Sequence, residues 1–297
     1  MSDFQRIGLV GRLGHAATVD SLLRLLTFLR GRDVQVTMDE KTASLLPEGN
    51  YAVHDREQLS ADCDLIIVVG GDGSLLGVAR TVASLGVPVI GINRGRLGFL
   101  TDIMPDEVET RLAAVMDGEY TEESRFLLEF EVRRNDQLLP GGCALNDIVL
   151  HPGTAAQMID FELFIDGQFV NSQQSDGLIV ATPTGSTAYS LSAGGPIMHP
   201  SLNAMVLVPM YPHSLSSRPL VVDADSVICV RVVKQRSIVP LVSSDGAANF
   251  TTEPGDEIII RKKADPLRLI HPLDHNYYET CRSKLGWGNR LTRHSDD

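Results

Sequence analysis

Asp64-Leu65-Ile66-Ile67-Val68-Val69-Gly70-Gly71-Asp72-Gly73-Ser74-Leu75-Leu76-Gly77-Val78-Ala79 decides how the first half of the chain is read. The block 64–69 is short, apolar and β-branched, the pattern of a strand buried on both faces of a parallel sheet. The run 74–83 reads as a helix with Ser74 near its N-cap. Between them, three glycines surround one carboxylate. Glycine admits positive φ and lets backbone come close to a bulky anionic ligand. The N–H groups and the dipole at the helix start favour phosphate. Asp72 is the odd member, because a carboxylate repels phosphate unless it serves a cation or takes a proton. It is the candidate metal ligand or base.

Two phosphate loops are excluded by the letters. A dinucleotide fingerprint starting at Gly71 needs glycine where Leu76 stands, and no Gly-Lys-Ser/Thr triplet closes a P-loop here.

Working outward, Arg6-Ile7-Gly8-Leu9-Val10-Gly11 is a first strand, and 20–29 carries Leu22, Leu25, Leu26 and Leu29 at helical spacing. Val34-Gln35-Val36-Thr37 is a second strand and 41–46 a short helix stopped by Pro47. Val87-Pro88-Val89-Ile90-Gly91-Ile92-Asn93 is a further strand, and 106–116 a closing helix. Strands alternating with helices predict a parallel sheet covered on both faces, with ligands beyond the carboxyl ends of its strands. Gly71-Asp72-Gly73 and Asn93-Arg94-Gly95-Arg96-Leu97-Gly98 both lie at such ends.

Near Tyr120 the pattern changes. Leu128, Phe130 and Val132 alternate with Glu129, Glu131 and Arg133, and Asp166-Gly167 separates two apolar runs as a hairpin turn. More strands are expected at 177–182, 205–208, 226–233, 238–243 and 257–261. The fold class is therefore α/β plus all-β. An N-terminal parallel-sheet domain, 1–120, precedes a β-sandwich-like domain, 121–272, and the tail 273–297 is a candidate to pack back on the first. Three polar segments stand out in the second: Leu145-Asn146-Asp147-Ile148, Ser175-Asp176-Gly177 and 182–196, dense in small hydroxyl residues and glycine. They offer hydrogen bonds to a ligand, or turns and caps. A serine-hydrolase elbow around Ser186 fails, since Thr184 and Ala188 occupy its glycine positions.

A formal charge of −12 argues against nucleic acid or an anionic membrane as partner. No apolar run approaches the length of about 18 residues of a spanning helix, and the N-terminus lacks a signal-peptide core. Cys63, Cys143, Cys229 and Cys281 are far apart and read as free thiols of a cytoplasmic protein. His271 and His275 have metal-like spacing without companions and read as surface or packing residues.

Taken in order, Gly70-Gly71-Asp72-Gly73, Gly91-Ile92-Asn93 with Leu97-Gly98-Phe99-Leu100, Leu145-Asn146-Asp147, Ser175-Asp176-Gly177 and Thr182-Pro183-Thr184-Gly185-Ser186-Thr187-Ala188-Tyr189 resemble the ATP-dependent NAD kinases. Pro212-His213-Ser214-Leu215-Ser216-Ser217-Arg218-Pro219 resembles their bacterial branch. The likeness runs from the first strand to Leu285-Gly286-Trp287. It implies a Rossmann-like first domain, a β-sandwich second domain, and a homo-oligomer, dimer or tetramer. The NAD site would lie between domains and be completed by a neighbouring subunit. The implied reaction is Mg²⁺-dependent (or served by another divalent cation), from ATP to the 2′-hydroxyl of the adenosine ribose of NAD, giving NADP.

Carried over by motif, Asp72 is the base and Gly73 its neighbour at the ligand. Asn146 and Asp147 hold the adenine–ribose side, and Asp176 contacts the nicotinamide half. Thr187-Ala188-Tyr189-Ser190-Leu191-Ser192 lines the dinucleotide groove. Relatives usually carry Glu where Asp147 stands. Gln174 and Gln157 stand where basic residues are common, and Ala247 where Gln is frequent. Fewer cations predict looser discrimination against NADH than in Arg-bearing relatives, which the ratio of kcat/KM on the two cofactors tests. The nearest rivals are lipid or sphingoid kinases, which share the Gly-Gly-Asp-Gly turn but call for a membrane-facing segment, and a non-catalytic NAD sensor, which gains little from a carboxylate in its phosphate loop.

Overall fold

The computed structural model describes residues 4–14, 16–95, 98–153, 157–233 and 239–287. They divide into two compact units, 1–123 with 268–297, and 124–267.

The first unit begins β1 (Arg6–Gly11), α1 (Ala16–Arg30), β2 (Gln35–Asp39), α2 (Glu40–Ala43), β3 (Ala52–His54), α3 (Arg56–Asp62), β4 (Leu65–Gly70), α4 (Asp72–Val82), β5 (Val89–Asn93), α5 (Val108–Met116) and β6 (Tyr120–Arg125). Strands β3-β2-β1-β4-β5 are adjacent in that order and pair in parallel. The order reverses between β1 and β4, which creates a crevice beyond their carboxyl ends. Every residue of β4 is buried, as expected of a central strand with helices on both faces. Leu22, Leu25, Leu26 and Leu29 of α1 join Ile7, Leu9, Ile67 and Val69 in one core, so the helical spacing of the leucines is what docks α1 on the sheet.

The second unit contains β7 (Leu128–Arg134), β8 (Gln137–Ala144), β9 (Asp147–His151), β10 (Ile159–Ile165), β11 (Gln168–Ser175), β12 (Gly177–Ala181), α6 (Tyr189–Ser192), β13 (Ala204–Met210), β14 (Leu220–Asp223), β15 (Ile228–Val232), β16 (Leu241–Ser244), β17 (Ala247–Thr251) and β18 (Glu257–Lys262). They form two six-stranded sheets, β11-β10-β15-β18-β7-β8 and β14-β13-β12-β9-β16-β17. Phe130, Phe161, Val230 and Ile258 of the first pack with Ile148, Val180, Leu207 and Val242 of the second, the core of a sandwich. In β7 the apolar residues are buried and Glu129 and Arg133 exposed, as the alternation requires. The second sheet buries its other face too, through Val149, Ile179, Val206 and Met198, so β9, β12 and β13 read as continuous apolar runs. The α/β class with a following β sandwich is what the structure has.

Asp166 and Gly167 adopt φ of 50° and 76° between β10 and β11, as a tight hairpin turn requires at both positions. The expected strand at 238–243 begins outside the described residues and is seen as β16. The chain then returns to the first sheet as β19 (Leu267–Pro272), which pairs in parallel with β5, and the last described helix is α7 (Tyr277–Leu285), capped by Asn276 Oδ1.

Candidate active site

Asp72 opens α4, whose N-cap is Gly71 in an extended conformation without a side-chain cap. Ser74 therefore lies in the first turn and is not the cap: the helix starts earlier than its sequence suggests because Gly71 adopts the extended geometry that a cap needs. None of Gly70, Gly71 and Gly73 has positive φ. Their use is space. A Cβ on Gly70 would fall 2.3 Å from Ser74 Oγ, whereas one on Gly71 or Gly73 would meet nothing within 4 Å. The last two keep open room beside a helix N-terminus, where backbone N–H groups lack intrahelical partners.

The Asp72 carboxylate is held from the other side by the loop after β5. Oδ2 accepts from Phe99 N–H (2.9 Å), and Oδ1 accepts from Leu100 N–H (3.1 Å) and the Thr101 hydroxyl (3.1 Å). Gly98 is obligatory in that contact, since a Cβ there would lie 2.0 Å from Asp72 Oδ1. Arg96 and Leu97, quoted in the same motif, lie outside the described residues. Asp72, Gly71, Gly73 and Gly98 line a concavity of ≈ 530 Å³ together with three cations, Arg12, Arg94 and Lys284. Arg12 follows β1, with its N–H bonded to the carbonyl of Val69, and Arg94 follows β5, with its N–H bonded to the carbonyl of Gly70. The Arg94 Nε is buried without a partner. Lys284 comes from α7 and lies 5.8 Å from the Phe99 ring. A positive rim around an open helix start suits a polyphosphate.

In the second unit, Asn146 and Asp147 meet the end of β12. The Asn146 carbonyl accepts from Thr182 N–H at 2.9 Å, and a Cβ on Gly185 would fall 2.0 Å from that oxygen. Asp245 brackets the segment: its carboxylate accepts from the N–H groups of Leu145, Asn146 and Asp147. Asp147 is 5% exposed. Burial, and then the charge of Asp245, push its carboxyl up to about 7. Ala247 opens β17, exposed, two residues beyond Asp245.

The hydroxyl-rich segment is used differently from the way it reads. Thr182 Oγ1 donates to the carbonyl of Leu145, Ser186 Oγ to that of Pro183, and Thr187 Oγ1 to that of Thr184. The hydrogens of these hydroxyls are spent within the turn. The surface that remains comes from Ala188, Tyr189, Leu191 and Ser192, while Ser190 is buried with its hydroxyl unpartnered. Asp176 stands at the opposite end of β12 from Thr182, roughly 20 Å away at the rise of a strand. Its N–H bonds the carbonyl of Met210, and its place depends on Gly177 at φ 154°, where a Cβ would meet the carbonyl of Leu150 at 2.3 Å. Gln174 is exposed on β11 near that end, and Gln157 is exposed before β10. One chain thus brings Asn146 and Asp147 to one end of β12 and leaves Asp176 at the other.

Residues 7–120 match the ATP-NAD kinase N-terminal domain, and residues 145–272 the ATP-NAD kinase C-terminal domain. The NAD kinase of Azotobacter vinelandii is 61% identical over 98% of this chain and 99% of its own length. That of Pseudomonas fluorescens is 60% identical over 98% of each. The chain belongs to the NAD kinase family. Among solved structures, yeast NADH kinase complexed with NADH superposes with a TM-score of 0.88 at 26% identity, over 97% of this chain and 90% of that one. An NAD kinase from Archaeoglobus fulgidus in complex with ATP gives 0.72 at 30% identity, over 94% and 99%.

For a member of this family, several residues around the two segments escape sequence reading. Thr101 directly follows the quoted Leu97-Gly98-Phe99-Leu100, and Arg94 lies inside a quoted motif, so both were within reach. Arg12 and Lys284 carry no local signal, and Asp245 shows only an Asp-Gly turn. The four cysteines are free, as expected. Of the surface and packing readings of His271, the packing one holds: it is fully buried on β19 and hydrogen-bonded to Asp102. No helix among the described residues is long and apolar enough to cross a membrane.

Proposed function

We propose that the chain is an NAD kinase that transfers the γ-phosphoryl group of ATP to the 2′-hydroxyl of the adenosine ribose of NAD, giving NADP and ADP. The observation that carries the mechanism is the Asp72 carboxylate, held by three donors at the edge of an open, cation-rimmed helix start. A carboxylate has roughly four lone-pair sites, and three here are taken. Among the described residues Oδ2 accepts one bond, from Phe99 N–H, and it is the atom left to receive the hydroxyl proton. As it does, the ribose oxygen forms its bond to the γ-phosphorus, the bond to the β-bridging oxygen breaks, and the electron pair leaves with ADP. In-line phosphoryl transfer depends mostly on positioning and charge stabilisation. Arg12, Arg94, Lys284 and the first-turn N–H groups of α4 meet those needs for the phosphates. Asn146 and Asp147 hold the adenine–ribose side of NAD, Asp176 the nicotinamide side, and 187–192 the groove between, with Gln157, Gln174 and Ala247 at its margins.

Among the described residues Asp72 is the only carboxylate lining the concavity, and it is already engaged by the 98–101 loop. A divalent cation such as Mg²⁺ would therefore be held mainly by the ATP phosphates, and Asp72 is the side chain here that could add a ligand to it. When bound, it supplies charge neutralisation on the phosphates. The separation of Asp176 from Asn146 and Asp147 supports a homo-oligomer in which a neighbouring copy completes the dinucleotide site. The free thiols support a cytoplasmic setting.

The test is direct. Purified protein incubated with NAD, ATP and Mg²⁺ yields NADP detectable by an NADP-specific dehydrogenase. NAD binding without product would point to a sensor, and phosphorylation of a sphingoid base in its place would point to the lipid-kinase relatives.

A further inference from the structure

The loop that holds Asp72 is itself held. Thr101, which donates to Asp72, is followed by Asp102, and Asp102 Oδ2 receives the Nδ1 atoms of both His271 and His275 at 2.8 Å. A carboxylate accepts only, so each Nδ1 carries its hydrogen. The imidazoles are stacked, with centroids 3.9 Å apart and planes 19° from parallel. His271 is fully buried on β19, and the following turn is tied to α5 by the Asp274–Arg111 pair. The same C-terminal segment sets Tyr277 against Phe99 and, through α7, Lys284 over Phe99. Burial opposes charge on Asp102, yet the hydrogen bonds and charges of the two histidines prevail and bring its carboxyl down to about 2. A carboxylate so firmly ionised keeps both donors.

We propose that His271 and His275 are positioning residues for the phosphoryl transfer: through Asp102 they hold the loop 98–102 so that Phe99, Leu100 and Thr101 present three donors to Asp72. The inference rests on the role of Asp72 proposed above. Both Nδ1 atoms share one carboxylate oxygen, and His271 Nε2 faces Glu123 Oε2 at 3.7 Å. Asp102, His271 and His275 also offer three ligand atoms within 4.8 Å of one another, so bound zinc is the rival outcome, which zinc content distinguishes from a shared acceptor. The effect is transmitted over one peptide unit, from a carboxylate anchored in the core to the groups that orient the base. A shift of about 1 Å in such a group lowers turnover by about a hundredfold.

Wild type, His275→Leu, His275→Gln, Asp72→Asn and the double variant Asp72→Asn with His275→Leu test this as full-length enzyme. His275→Leu should lower kcat at least about tenfold while KM for ATP and NAD moves less than about threefold. Amide exchange should quicken at Phe99 and Leu100 and stay slow in β1 and β4. His275→Gln, whose amide can still donate to Asp102, should recover most of the turnover. In the Asp72→Asn background, loss of His275 should cost little more, because both act through one group. Equal losses in the two backgrounds, unchanged kcat in folded His275→Leu, or exchange that quickens throughout the unit would each overturn the proposal. So would stoichiometric zinc in the wild type that His275→Gln lacks. Near-wild-type turnover in Asp72→Asn alone would strike the role of Asp72 itself.

Discussion

Thr101 Oγ1 donates to Asp72 Oδ1 across 3.1 Å from a side chain with no exposed surface. Thr101→Val keeps the shape and removes that donor. An orienting hydrogen bond to a charged group is worth about 1.5 kcal/mol or more, so kcat with both substrates saturating should fall about tenfold. Urea unfolding should show stability changed by about 1 kcal/mol. Unchanged kcat would mean that the two backbone donors alone orient the carboxylate.

Gly71 and Gly73 carry a second expectation. A methyl group at either position meets no protein atom within 4 Å, and Ala in place of a helical Gly favours the helix by about 1 kcal/mol. Gly73→Ala should leave the melting temperature the same or higher while raising KM for ATP, because the methyl group projects where phosphate approaches. Gly98→Ala should do the reverse and disturb the fold, since its Cβ would strike Asp72 Oδ1 at 2.0 Å. Thermal melts set beside KM for ATP distinguish the two kinds of glycine.

Asp147 should make stability and NAD binding depend on pH in a definite direction. Burial and Asp245 raise its carboxyl from 3.8 to about 7. Between these values the folded chain binds the proton more tightly than the unfolded chain. That stabilisation is complete below about 4 and is lost as pH rises to about 7. Asp147→Asn, which resembles the protonated form, should therefore gain stability over the wild type progressively through this window. Ribose hydroxyls are accepted by the ionised form, so KM for NAD in the wild type should fall as pH passes 7 and stay flat in Asp147→Asn. A flat wild-type profile would remove Asp147 from the ribose side.

Where sequence and structure agree, the cause is local. The β-branched block at 64–69, seen as the strand Leu65–Gly70, the leucines of α1 and the Asp166-Gly167 turn each follow from periodicity or from a positive φ that neighbours cannot change. Where they part, the cause is a partner distant in sequence. Leu267–Pro272 reads as an ordinary apolar stretch, and only its pairing with β5 makes it part of the first sheet. Asp245 looks like half of a hairpin turn until the N–H groups of 145–147 converge on it. The hydroxyls of Thr182 and Ser186 advertise a ligand surface, yet backbone carbonyls claim them first. The short polar pair β3 and α3 has too few apolar positions to show either period.

In the proposed mechanism Asp72 takes the ribose hydroxyl proton. Its most direct test is single-turnover formation of NADP from NAD, ATP and Mg²⁺ by Asp72→Asn beside the wild type. The amide keeps one oxygen to accept from the 98–101 loop but cannot take the proton. The rate should be lower by about 10²–10⁴, with the melting temperature within a few degrees of the wild type and NAD still bound. A rate within tenfold of the wild type would contradict it.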